Sequence, residues 1–495
     1  MGEFLDSIYS LVWGVPALVM ILGVGVFLTL RTGFAQVRLF PMACRDFWRR
    51  LTGKRRSSDG VSPFQALCTA LAATVGTGNL AGVAGALALG GPGAIFWMWI
   101  CAILGMMTKL AEAALSVRYR VYQGSEQLGG PMYVISRGMG SRWKWLAWIY
   151  CFFGVFAAFG VGNATQINAV ITGINDCIFA FGGSPNSRRD LLVGFFLALV
   201  VLVMLLGGAR RVGRAAECLV PLAAAGYLLL GALVLILRAE AVPQAFRTIL
   251  HGAFSPRAVT GGMVGSFMGT LRIGVSRGVF TNEAGMGTAG IAHGSADVDH
   301  PIEQGLMGIM EVFLDTVVIC TMTALVILCS GVSVPYGMDV GVSLTTDAFC
   351  AVLGNWVRVF IAAALCLFAF ATILGWGLYG VRCAQYLFGR PVWRAFAVLQ
   401  SMTVILGAVL STGIVWRLSE IVNGLMAIPN LIALAVLSPE LCRLLIDYER
   451  KSGNRAGGGT ICKFQSTQTA ASPHLCENST PLRWRQKSRV KKYTT

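Results

Sequence analysis

Charge is scarce in this chain. Only 13% of its 495 residues are Asp, Glu, Lys or Arg, while 55% are hydrophobic, and the mean hydropathy is +0.68. A surface this poor in charge does not suit a water-soluble fold and reads as a polytopic membrane protein. Histidine is scarcer still, at four residues, none in an apolar run, and no nucleophile set is clustered with them. That absence excludes the intramembrane enzyme as a reading. Rings of charge and a continuous polar lining are missing too, which argues against a channel. The 14 cysteines are not few, but they lack CxxC or metal-ligand spacing. They read as reduced packing residues, with no metal centre.

What is present is a series of apolar runs. Spanning a bilayer takes about 20 mostly apolar residues per helix, and eleven runs qualify, at 8–30, 64–89, 94–117, 145–179, 191–207, 215–237, 259–281, 304–330, 357–380, 394–413 and 418–438. The first follows an acidic start (Glu3, Asp6) and lacks a basic leader, so it reads as a retained helix rather than a signal peptide. The net charge of +17 is concentrated in loops: Arg31 to Arg56 after the first run, Arg118 to Lys144 after the third, Arg210 to Arg214 after the fifth, and Arg382 and Arg390 after the ninth. Residues 331–356 carry no Lys or Arg. The positive-inside rule then places the N-terminus outside and the C-terminus in the cytoplasm. The excess charge thus answers to membrane lipid rather than to nucleic acid. A Ser/Thr/Gly-rich basic stretch, 443–495, reads as a disordered cytoplasmic tail drawn to anionic headgroups.

Apart from residues 1–63, which hold the first helix and a basic loop, ten runs divide into 64–237 and 259–438, five in each. Five is odd, so the second set enters the membrane from the opposite side: an inverted repeat. The first helix of each set is crowded with glycine, in TVGTGNLAGVAGALALGGPG (74–93) and GGMVGSFMGTLRIGVSRGVFTNEAGMGTAG (261–290). Gly78 and Gly82 form a GxxxG, which close packing alone would explain. The recurrence in both sets, with Thr77 and Asn79 at membrane depth, points instead to paired discontinuous helices around a transport site. A dinucleotide loop is excluded because no strand precedes GTGNLAG.

ALCTALAATVGTGNLAGVAGALALGGPGAIFWMW, GGPMYVISRGMG, RGVFTNEAGMGTA and ATILGWGLYG occur in that order, and the chain up to about residue 445 resembles the alanine or glycine:cation symporters, sodium-coupled carriers of small amino acids. The resemblance implies an all-α LeuT-type 5+5 inverted repeat with one extra N-terminal helix, in a bacterial inner membrane. It also implies Na+ as coupling ion, with H+ as the alternative, and alanine or glycine as substrate. By the same resemblance Gln166 contacts substrate, and sodium is held by backbone oxygens of Ala72, Val75 and Ala369 with the Thr372 hydroxyl. The resemblance leaves oligomeric state open.

The residues supply a matching chemistry. A helix broken at Gly76–Gly78 presents N–H groups and a positive dipole end to a carboxylate, and Thr77 adds a hydroxyl. Carbonyls freed around Ile273, Gly274 and Gly278, within 270–278, would receive the ammonium without burying an acid. Trp376 is either the wall that limits side-chain size or an ordinary core or interfacial indole. Thr372 lies four residues before it, on the same helix face. Asn79 either binds a second ion or caps the broken helix. Lys109 and Glu112, three apart, are expected to pair, and Glu311 and Asp315 share a face that would suit an ion relay. Glu283 falls at the cytoplasmic end of its run, as a cap or gate, and His293 and His300 sit in a polar loop with no role assigned.

Overall fold

The computed structural model describes residues 12–451 except 54–59, 125, 257–259, 261–265, 339 and 410–412. Apolar runs become helices because hydrocarbon offers no partner to the backbone, so every N–H and C=O must be satisfied within the segment. Helix α1 (Val15–Arg31) and the amphipathic α2 (Phe40–Thr52) precede the first set. That set comprises α3 (Pro63–Thr74), α4 (Gly78–Gly90) and α5 (Gly93–Arg118). After a short hairpin, β1 (Val121–Gln123) paired antiparallel with β2 (Glu126–Leu128), come α6 (Lys144–Phe159) and α7 (Thr165–Ala180), joined through the wide turns of Gly160–Ala164. Helices α8 (Ser187–Leu205) and α9 (Gly208–Leu237) complete it.

Helix α10 (Val242–Phe254) leads to the second set: α11 (Phe267–Asn282), α12 (Thr288–His293), α13 (Pro301–Ser330), α14 (Ser343–Leu353), α15 (Val357–Phe388), α16 (Val392–Val409) and α17 (Gly413–Val436). Counterparts of the two sets meet across the molecule. A Cβ on Gly308 of α13 would lie 2.8 Å from the Lys109 carbonyl oxygen of α5, and one on Gly194 of α8 would lie 2.6 Å from Cβ of Ala408 on α16. Small residues let those backbones approach closely.

Among the described residues seven helices are long and apolar enough to cross a membrane, or eight with the bent pair α3 and α4 counted as one span. The other three of the eleven expected runs, 8–30, 191–207 and 259–281, correspond to α1, α8 and α11. Helix α1 is 17 residues long and α11 is 16, and α8 opens on Arg188, Arg189 and Asp190.

Two elements depart from expectation. Helix α10 occupies the gap between the sets, with Ala245, Ile249, Gly252 and Ala253 buried and Phe246, Leu250 and Phe254 exposed. It is too short to register as a span, and its small buried face fits α5: a Cβ on Gly93 would lie 2.2 Å from the Gly252 carbonyl carbon, and Trp97 Nε1 donates to the Ala253 carbonyl at 3.2 Å. The tail expected to be disordered from 443 instead begins as helix α18 (Ser438–Lys451). That helix buries Leu441, Cys442 and Leu445, and is tied down by Arg38–Glu449 at 3.1 Å and Arg118–Glu440 at 2.9 Å. Residues 452–495 lie outside the described residues.

Candidate substrate and ion site

Helix α3 starts on a capping box, with Ser62 Oγ accepting from Gln65 N and Gln65 Oε1 accepting from Ser62 N, both at 3.1 Å, and Pro63 in the first turn. It ends at Thr74. Val75 turns extended (φ −76°, ψ 95°), and the chain resumes as α4 at an angle of 53°. Asn79 stabilises this break: its Oδ1 accepts from Gly76 N at 2.9 Å, and its Nδ2 donates to Asp315 Oδ1 at 2.7 Å. The side chain therefore acts as a cap in this geometry, bridging α4 to α13. Wide π-type turns run through 78–82, 160–164 and 313–320, the three segments that carry Asn79, Gly162 and Asp315. Such turns commonly mark functional sites.

Three of the residues singled out from sequence converge at the break. A Cβ on Gly76 would lie 2.7 Å from Thr372 Oγ1 and 3.3 Å from Gln166 Oε1. Only glycine leaves that space open. Thr372 Oγ1 donates to the Phe368 carbonyl at 3.0 Å and lies 3.5 Å from the Val75 carbonyl oxygen. Gln166 Nε2 donates to the Val161 carbonyl at 3.1 Å, whereas Gln166 Oε1 and Thr77 Oγ1 are buried with no hydrogen-bond partner. Buried polar atoms left without partners are costly, about 1–3 kcal/mol each, and here two of them flank one break. Ala72 and Ala369 are fully buried on the same two helices, α3 and α15, which meet where a Cβ on Gly375 would lie 3.0 Å from Ala73. Gly78 faces α11, its added Cβ 3.1 Å from Thr281 Cγ2.

The second discontinuity is displaced from its expected position. Helix α11 runs unbroken through 270–278, so those carbonyls are committed to the helix and are not freed for an ammonium. Gly274 and Gly278 pack against α5, beside Ala94 and Cys101, and Ile273 lies against Gly90 of α4. Their glycines serve close packing. The break comes later, at 283–287, between α11 and α12. Glu283 is the C-cap of α11, as expected of a cap, but it is buried, 3% exposed, and opens the break with a left-handed backbone (φ 52°). Its Oε1 accepts from Trp376 Nε1 at 2.9 Å and its Oε2 from Thr288 Oγ1 at 2.7 Å. Trp376, 1% exposed, packs at its base against Gly162, where a Cβ would lie 2.2 Å from Cβ of Trp376.

The buried charges also pair differently from the sequence reading. Lys109 Nζ donates to Glu311 Oε1 at 2.7 Å rather than to Glu112, and both side chains are within 1% of full burial. Glu112 Oε1 instead accepts the N–H groups of Gly285 and Gly287, at 2.9 and 3.0 Å, and Asn430 Nδ2 at 2.9 Å. The second break is thereby anchored to α5. His293, left without a role above, is fully buried: Nε2 lies 2.9 Å from Glu311 Oε2 and Nδ1 2.6 Å from Gln304 Nε2. A helix-face rule sees only neighbours in sequence, and the partner of Lys109 comes from another helix. Glu283 had one legible sign, a carboxylate inside the glycine-rich stretch TNEAGMG.

Comparison with known proteins bears on the family and the fold. The sequence profile of the sodium:alanine symporter family matches residues 1–459. The chain is 42% identical over 441 residues to the sodium/alanine symporter AgcS of Methanococcus maripaludis, covering 88% of this chain and 94% of that one. It is 35% identical over 438 residues to the amino-acid carrier protein AlsT of Bacillus subtilis, covering 88% and 90%. Among solved structures, MhsT in complex with L-phenylalanine aligns with a TM-score of 0.55 at 17% identity, over 78% of this chain and 89% of that one, which shows the LeuT-type inverted-repeat fold. Two discontinuous helices, the fold around them and the match along nearly the whole chain lead to one statement: this multi-pass membrane protein is a transporter, not an enzyme, and belongs to the sodium:alanine symporter family.

Proposed function

We propose that the chain carries alanine or glycine inward together with sodium, by alternating access around the break at 75–77. The observation that carries this reading is the meeting of Gly76, Gln166 and Thr372, with Gln166 Oε1 and Thr77 Oγ1 buried and unpartnered beside it. The first N–H groups of α4 and the Thr77 hydroxyl would receive the substrate carboxylate. Gln166 Oε1 would accept from the ammonium, the part first given to carbonyls near Gly274. Trp376 would bound the side chain, admitting Gly and Ala.

Sodium fits on the opposite side of the break. Helix α3 ends there with its negative dipole end, which favours a cation. Two oxygens 3.5 Å apart, Val75 O and Thr372 Oγ1, match the separation of adjacent ligands, each about 2.4 Å from a hard cation. Carbonyls of Ala72 and Ala369 would complete the set. An ion shared by α3 and α15 would order the substrate site, which is how binding of one would favour the other.

Uptake of labelled alanine into proteoliposomes, with and without an inward sodium gradient, tests the reading. Thr372→Ala is expected to raise the sodium concentration for half-maximal uptake at least about tenfold. Sodium-independent uptake by the unaltered chain would overturn it. A second reading, proton coupling, is favoured by the buried His293–Glu311–Lys109 chain. It predicts uptake driven by a pH gradient without sodium, abolished in Glu311→Gln.

A further inference from the structure

We propose that Glu283 is a positioning residue that holds the Trp376 indole in place and so sets the size limit for the transported side chain. This rests on the reading of Trp376 as the pocket wall. Glu283 is one of two described non-glycine residues with positive φ, at 52°, a conformation that disfavours a side chain by about 1–2 kcal/mol and that glycine adopts freely. The position is also buried, where an ionisable group is unfavourable unless hydrogen-bonded. Backbone conformation and burial therefore both favour glycine here, and the carboxylate must be held by what it bonds.

It bonds two groups. Trp376 Nε1 donates to Oε1 at 2.9 Å and Thr288 Oγ1 to Oε2 at 2.7 Å. Both oxygens act as acceptors, one fixing the indole and the other fixing the carboxylate itself. The turn that carries Glu283 is in turn held by Glu112 Oε1, through the N–H groups of Gly285 and Gly287. The base of the indole packs on Gly162, where an added Cβ would lie 2.4 Å from Trp376 Cγ. The ring also meets Tyr379 edge-on, with centroids 5.8 Å apart. The hydrogen bond to Glu283 fixes the direction of its N–H within that packing.

The left-handed backbone supplies the discriminating variants. Glu283→Gly removes the acceptor and relieves the backbone, so a purely structural role predicts no loss. Asn also tolerates this region but is one methylene too short to reach Nε1, so Glu283→Asn repeats the test if the glycine variant folds poorly. Glu283→Gln keeps an acceptor for Nε1 and can meet the Thr288 hydroxyl with its amide. The measurement is competition of alanine uptake by leucine, in proteoliposomes of the full chain, with alanine KM and maximal rate recorded in parallel.

Discrimination between alanine and leucine is expected to fall about tenfold in Glu283→Gly and Glu283→Asn, the worth of one buried hydrogen bond to a charged group. Glu283→Gln should stay within about threefold of the unaltered chain. Trp376→Ala is the control for the wall: broadened specificity there with unchanged discrimination in Glu283→Gly overturns this proposal alone. Unchanged discrimination in Trp376→Ala overturns the wall reading and the proposal with it. Equal losses in Glu283→Gln and Glu283→Gly also overturn it, since the charge and not the indole bond would then matter.

Discussion

At the scale of single residues, the first break shows how little space separates function from packing. Adding one methyl group to Gly76 places carbon 2.7 Å from Thr372 Oγ1, well inside van der Waals contact, at the point where substrate and ion would meet. Gly76→Ala is therefore expected to lower alanine uptake about a hundredfold, with a modest fall in the thermal unfolding midpoint in detergent from the overpacking. Lys109 belongs to stability instead. Its ammonium is fully buried against Glu311, and removing one partner of such a pair typically costs about 3–5 kcal/mol, because the other charge is stranded. Lys109→Met should lower the unfolding midpoint strongly, and Lys109→Met combined with Glu311→Gln should recover much of the loss.

At the scale of elements, the two broken helices differ in how their breaks are made. The first is local: Gly76, the extended Val75 and the Asn79 cap lie within five residues, so glycine spacing in the sequence located it. The second depends on α5. The N–H groups of Gly285 and Gly287 have no helical acceptor, and Glu112 Oε1 accepts from both. Glycines at 274 and 278 misled the sequence reading because glycine has two uses in a membrane, breaking a helix and letting one approach another, and composition cannot tell them apart. Glu112→Ala is expected to abolish alanine uptake and lower the unfolding midpoint, whereas Glu112→Gln, which retains an acceptor oxygen, should keep a measurable share of both.

At the scale of the whole molecule, loop charge and helix count belong together. Basic residues cluster after the first, third, fifth and ninth runs and are missing from 331–356, which predicts an outside N-terminus and a cytoplasmic C-terminus. Membrane-impermeant thiol labelling of Arg210→Cys, exposed at the start of α9 ahead of the 215–237 run, tests this: labelling above that of the unaltered chain is expected in inside-out vesicles and not in intact cells. The pairing of α5 with α13 and of α8 with α16 relates the two sets of helices across the molecule. Motion of one set against the other would work through those small-residue contacts.

The amino-acid sequence by itself determined the membrane class, the inverted repeat, the family and the first break, because hydropathy, loop charge and glycine spacing all act over short stretches of chain. Only the tertiary structure decided that Lys109 pairs with Glu311, that the second helix breaks at 283–287, and that Glu283 holds Trp376. Each of those joins residues from different helices. In a medium without water a buried polar group must find its partner wherever the fold brings one, and sequence distance carries no record of it.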